Sequence, residues 1–88
     1  ALTGGYFKDK LSMLPHLKEV RGQGLLIGVE FDDSVNSTDV KHECLKRHLL
    51  VTAIGNHVIR MVPPLIITKK DCDEAFEIIN ASVKALTE

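Results

Sequence analysis

Tryptophan is absent, tyrosine occurs once and phenylalanine three times, so this 88-residue chain offers almost no surface on which bases could stack. Lysine and arginine number 11 against 12 acidic residues, a formal net charge of −1. The basic residues are scattered along the chain. A protein with neither a stacking platform nor a basic stripe is a poor partner for nucleic acid. Long hydrophobic runs are missing too. The longest apolar stretch, Val58 to Ile67, is interrupted by Arg60, Pro63 and Pro64, far short of the ~20 residues a membrane span requires. No charged segment leading into an apolar one opens the chain, so no signal peptide is expected, and Ala1 at the start suits an excerpt of something longer.

Cysteine is scarce, with only Cys44 and Cys72. Both fall on apolar helical faces and read as buried thiols outside any disulfide, which points to a reducing, cytoplasmic setting. No pair of Cys or His residues has metal-site spacing. His42-Glu43-Cys44-Leu45-Lys46 opens like a zinc-protease helix but lacks the second histidine at i+4. No metal is expected, and no nucleophile–base–orienter set is visible.

What is present is an ordinary globular balance, 44% hydrophobic and 26% charged, in a length that makes one domain spanning residues 1–88. Phe7, Leu11 and Leu14 repeat at helical spacing, which predicts a helix over 5–14 stopped by Pro15. Lys18 to Arg21 reads as extended and Gly22-Gln23-Gly24 as a turn or bend. Leu25, Ile27, Val29 and Phe31 alternate with Leu26, Gly28 and Glu30, the pattern of a strand with one apolar face. A polar loop follows, then a helix capped by Ser37 or Thr38, with Val40, Cys44 and Leu45 inside and its end near His48. Residues 50–54 and 58–62 read as a hairpin around a Gly55-Asn56 turn, and Pro63-Pro64 ends the pairing. Thr68 with Asp71 forms a capping box for a last helix whose stripe is Cys72, Ala75, Phe76, Ile79, Val83 and Leu86. The expected fold is α+β, a mostly antiparallel sheet with helices on one face.

Gly22-x-Gly24-x-x-x-Gly28 resembles a dinucleotide fingerprint superficially. Here, however, the glycines lead into a strand instead of opening a helix, so they read as structural: two for a bend, and Gly28 for close approach of another element. Arg60 stands mid-strand, on the same face as Val58 and Val62. One reading is an arginine at a sheet rim, its head in solvent or in an internal ion pair. The other is a fork that grips a ligand carboxylate through two hydrogen bonds, a geometry lysine cannot match. Pattern alone leaves both open.

Val20-Arg21-Gly22-Gln23-Gly24-Leu25-Leu26-Ile27-Gly28-Val29-Glu30 is similar to the VRGxGLxxGxE stretch of class III, pyridoxal-phosphate-dependent aminotransferases. Val58-Ile59-Arg60-Met61-Val62-Pro63-Pro64-Leu65-Ile66-Ile67 resembles their VIRxxPPLxI stretch. The two occur in the family's order, followed by a closing helix, and the likeness covers essentially all 88 residues. Its flavour is that of the acetylornithine branch, with ornithine and other ω-amino acid aminotransferases as neighbours. The resemblance implies the small C-terminal domain of a fold-type I enzyme, with the large cofactor-binding domain lying outside this chain. It implies that Arg60 holds the substrate's α-carboxylate, that Gly55 sets the turn aiming the Arg60 strand, and that Gly22, Gly24, Gly28, Pro63 and Pro64 are structural. It implies pyridoxal phosphate in the full-length homodimer but none held by these residues, and transfer of an amino group from N-acetylornithine or a related ω-amino acid to 2-oxoglutarate. Leu65, Ile66 and Ile67 would then pack on other parts of the enzyme. The alternative is a free-standing amino-acid-binding regulatory or dimerisation module. Such modules usually carry a βαβ duplication, and none is visible.

Overall fold

Helical spacing, two hairpin-like pairs of β-rich segments and a capping box over one long stripe are the signals along this chain, and each forms an element in the computed structural model. It describes residues 2–23, 26–61 and 68–88. The order is α1 (Leu2–Leu11), β1 (Leu17–Gln23), β2 (Leu26–Phe31), α2 (Ser37–Lys46), β3 (Thr52–Ile54), β4 (Val58–Met61) and α3 (Lys69–Thr87). The strands form one sheet in the order β1-β2-β4-β3, with every pairing antiparallel. The α+β expectation holds. Gly24, Val62, Pro63, Pro64 and residues 65–67 lie outside the described residues.

Period-2 alternation decides which side of the sheet is wet. Ile27, Val29 and Phe31 of β2 and Ile59 and Met61 of β4 are buried in one core with Phe7, Leu11, Val40, Cys44, Cys72, Phe76, Ile79 and Val83 from the helices. The opposite side carries Arg21, Leu26, Gly28, Glu30, Val58 and Arg60. All three helices therefore cover one face.

Local chemistry sets the joints. α1 begins at Leu2, earlier than the spacing of its buried residues indicates, and it ends before Pro15, where Met13 and Leu14 donate to Lys10 and Leu11 in a tightened final turn. Gly22 is not a bend: it lies inside β1 opposite Ile27. A Cβ there would sit 2.7 Å from Lys8 Cδ, so the residue lets α1 lie close over the strand. The N-cap of α2 is Asn36, whose side chain accepts from the Asp39 amide at 3.1 Å, rather than Ser37 or Thr38. Ser37 is already helical, and its hydroxyl is committed elsewhere. Leu45 is 52% exposed, not internal. Ser37, Val40 and Cys44 make the inner face, and Leu45 turns about 100° away from it. At the other end His48 takes φ 67°. Its amide reaches Leu45 O while the Leu49 amide reaches Cys44 O at 2.9 Å, the double closure of a left-handed helix stop.

Thr68 and Asp71 exchange their side-chain and backbone bonds at 3.1 Å, as the capping box requires. Of the expected α3 stripe, Cys72, Phe76, Ile79 and Val83 are buried and Ala75 packs against them. Leu86, 38% exposed, lies past the core. Ser82 instead joins the buried side, meeting Cys44 Sγ at 3.5 Å and donating to Ile78 O at 2.7 Å. Both cysteines are buried and neither is in a disulfide. Burial pushes the Cys44 thiol pKa up. Among the described residues no helix is long and apolar enough to cross a membrane.

Candidate functional site

The β3–β4 connection is a three-residue loop, Gly55-Asn56-His57, since Ile54 faces Val58. Gly55 at φ +61° supplies the left-handed residue that an L side chain adopts only with strain. The loop is held by the segment that runs from the end of β2 into α2. Ser37 N donates to Asn56 O at 2.8 Å and Ser37 Oγ to Gly55 O at 2.7 Å. His57 Nδ1 lies 2.8 Å from Val35 O, and the Phe31 amide donates to His57 O at 2.8 Å. The start of α2 and the end of β2 thus clamp the turn that launches β4, which carries Arg60.

Register then assembles a row. Arg21 of β1 faces Gly28 of β2, Gly28 faces Arg60 of β4, and Arg60 faces Thr52 of β3. Two arginines project from the solvent side with a residue that has no side chain between them. Arg21, Gly22, Leu26, Gly28, Val58 and Arg60 line a shallow open pocket of about 270 Å³. A Cβ on Gly28 would have no neighbour within 4 Å. The close approach expected at Gly28 is therefore not made by the described residues, and the missing side chain instead forms the pocket floor.

The two guanidinium groups are in different states. Arg21 Nε donates to Glu19 Oε2 at 2.8 Å, and its terminal nitrogen donates to Glu30 Oε1. These bonds, Glu19 first, raise the already high Arg21 pKa further. Lys18 Nζ also stands 3.7 Å from Glu30. Arg60 is exposed and has no carboxylate partner among the described residues. The internal ion pair is not formed among the described residues, and a head in solvent and a fork for a ligand carboxylate both fit this exposed arginine. A fork over an apolar-walled trough can take an incoming carboxylate through two charge-assisted bonds.

Sequence reasoning named no site role for Arg21, and the structure places it in the pocket wall. Its motif glycines suggested a turn at Gly22-Gln23-Gly24, which would set Arg21 opposite Leu25. The observed pairing of Gln23 with Leu26 shifts the register and brings it level with Gly28 and Arg60. The hairpin register was the signal, and the expected bend at Gly22-Gln23-Gly24 hid it.

The residues do not fit a pyridoxal phosphate site. A Schiff-base lysine needs a desolvated pocket, and no lysine of the chain is buried. Lys10 is 3.6 Å from Asp73 and over the Phe76 ring, Lys46 is 2.7 Å from Glu43, and Lys69 lies over the Tyr6 ring. Among the described residues no three His, Cys, Asp or Glu side chains converge on a metal position.

Comparison with known proteins gives a consistent picture. The profile of the family described as aminotransferase class-III matches residues 1–83. A mitochondrial acetylornithine aminotransferase of Alnus glutinosa is 42% identical over 88 residues, covering 94% of this chain and 19% of its own length. The chain spans about a fifth of the length of such curated relatives. Among solved structures, an ornithine aminotransferase from Plasmodium yoelii superimposes with a TM-score of 0.77 at 35% identity, covering 97% of this chain and 24% of its own. One from Toxoplasma gondii, with pyridoxal phosphate at partial occupancy in its active site, gives 0.74 at 34% identity over 94% of this chain and 21% of its own.

Proposed function

The chain belongs to the class-III aminotransferase family, and on that premise we propose that it is the carboxylate-gripping C-terminal portion of a pyridoxal-phosphate-dependent transaminase. The observation that carries this reading is Arg60: an exposed guanidinium at a pocket edge, with every nearby carboxylate held by another cation. Arg60 binds the substrate's α-carboxylate and fixes the distance of the reacting amine from the catalytic centre. That is a positioning contribution. Bond-making belongs to the rest of the enzyme, where the cofactor supplies the electron sink for amino transfer. The substrates are N-acetylornithine or a related ω-amino acid as donor and 2-oxoglutarate as acceptor, in line with the relatives named above. The large cofactor-binding domain of the same protein packs on the sheet side that carries Leu26 and Val58. The full-length protein works as a homodimer in a reducing, cytoplasmic compartment, to which two buried cysteines outside a disulfide are suited. Alone, the 88 residues do not transaminate.

The test is Arg60→Lys in the full-length enzyme. Lysine keeps the charge but loses the fork, so KM for the carboxylate-bearing donor is expected to rise by roughly tenfold. Cofactor loading, read by absorbance, and turnover of an ω-amine lacking the carboxylate stay as they were. Loss of cofactor loading with an unchanged KM would refute the assignment.

A further inference from the structure

Alternation along β4 puts His57 in the same row as Ile59 and Met61, the row that faces the helices. The two apolar members are buried, whereas the His57 side chain stands at the rim, 36% exposed. Its Nδ1 lies 2.8 Å from Val35 O. A carbonyl only accepts, so Nδ1 carries the hydrogen and donates. The bond ends on a fixed partner, because Val35 is itself buried in the core. At the other ring edge Nε2 is 3.8 Å from Asp33 Oδ1, a carboxylate fully in solvent whose pull is weak. The ring is thus held chiefly through Nδ1.

That bond fixes the start of β4. β3 is three residues long and sits at the edge of the sheet, so on that side β4 has little to locate it. Against β2 it has four paired positions, from Glu30–Val58 to Ile27–Met61. His57 precedes the first of them, and only Val58 and Ile59 separate it from Arg60. The backbone bonds at the turn, from Phe31 N to His57 O and from Ser37 N to Asn56 O, need no particular side chain at position 57. The Nδ1 bond does. We infer that His57 is a positioning residue for the carboxylate grip: its Nδ1–H ties the start of β4 to the link between β2 and α2, and so sets where the Arg60 guanidinium meets the substrate. Misplacing a group that orients substrate by about 1 Å weakens catalysis strongly, even when the change lies away from the reacting atoms. This inference rests on the assignment of Arg60 above.

The experiment uses the full-length holoenzyme and depends on which ring nitrogen is imitated. His57→Asn places an amide nitrogen where Nδ1 stands, His57→Gln reaches the Nε2 position instead, and His57→Leu has no donor. KM for the carboxylate-bearing donor is expected to stay within about twofold of the parent in His57→Asn. In His57→Gln and His57→Leu it rises roughly fivefold, with kcat and cofactor absorbance unchanged. The ω-amine without a carboxylate keeps its KM in all three. Arg60→Gln combined with His57→Gln should be no weaker than Arg60→Gln alone, since His57 acts only through Arg60. If His57→Leu does not fold, His57→Asn against His57→Gln carries the comparison. The same KM in those two variants would overturn the inference. So would a rise shared by the carboxylate-free amine, or additive effects in the double variant, because both mark a merely structural histidine. A flat response to Arg60→Gln alone would overturn the assignment of Arg60 itself, and the inference with it.

Discussion

Gly28→Ala separates stability from function at one atom. Gly28 lies mid-strand without positive φ, and an added Cβ meets nothing within 4 Å. Glycine in a strand interior costs about 0.5–1 kcal/mol relative to alanine through the freedom it loses on folding. With no clash from the described residues to offset that, Gly28→Ala should stabilise the sheet by about the same 0.5–1 kcal/mol. In the full-length protein this reads as slower native-state hydrogen exchange of the β2 and β4 amides, by about two- to fivefold. Gly28→Val keeps the gain in strand preference but puts a branched side chain on the pocket floor between Arg21 and Arg60. KM for a carboxylate-bearing donor should climb, while an ω-amine without the carboxylate reacts as before. Faster exchange in Gly28→Ala, or failure to fold, would refute the reasoning. It would show that an element beyond the described residues lies against Gly28, as the glycine motif first suggested.

Two further predictions follow from the joints. Ser37→Ala removes the hydroxyl bond to Gly55 O but keeps the amide bond to Asn56 O. It should cost about 1 kcal/mol, seen as faster amide exchange at Phe31 and Ser37, and no change there would mean the hydroxyl clamps nothing. Bonds from the Thr68 amide, and next its hydroxyl, hold the Asp71 carboxyl pKa below its usual range. A lowered folded pKa stabilises the native state above the unfolded value and loses that contribution as pH falls through the folded one. The first turn of α3 should therefore loosen between about pH 4 and lower values. Exchange at Asp71 and Cys72 would report it, and a pH-independent first turn would contradict the bond.

The α3 capping box and most of its stripe were legible because Thr68-x-x-Asp71 and 3.6-residue spacing are both local signals. The β2 strand was legible through strict alternation, and Arg60 stood out because a charge in a β-rich run demands an explanation. The α2 cap was misplaced because Asn36, Ser37 and Thr38 all suit that position. Only the fold reveals that the Ser37 hydroxyl is taken by a loop 18 residues on. Leu45 looked internal because hydrophobicity was read without the helix phase fixed by Val40 and Cys44. Likewise the Arg21 site depended on register, and register depends on which residues make the turn.

The alternation that exposes Arg60 also polices assembly. Sliding β4 by one residue along β2 would turn Ile59 and Met61 to water and drive the Arg60 guanidinium in among Phe31, Val29 and the helix side chains. An unpaired charge buried there is heavily penalised. The residue proposed for ligand binding thereby also disfavours a slipped pairing of β4 on β2. Replacing Arg60 with an apolar residue would remove that penalty and leave the burial of Ile59 and Met61 to hold the register.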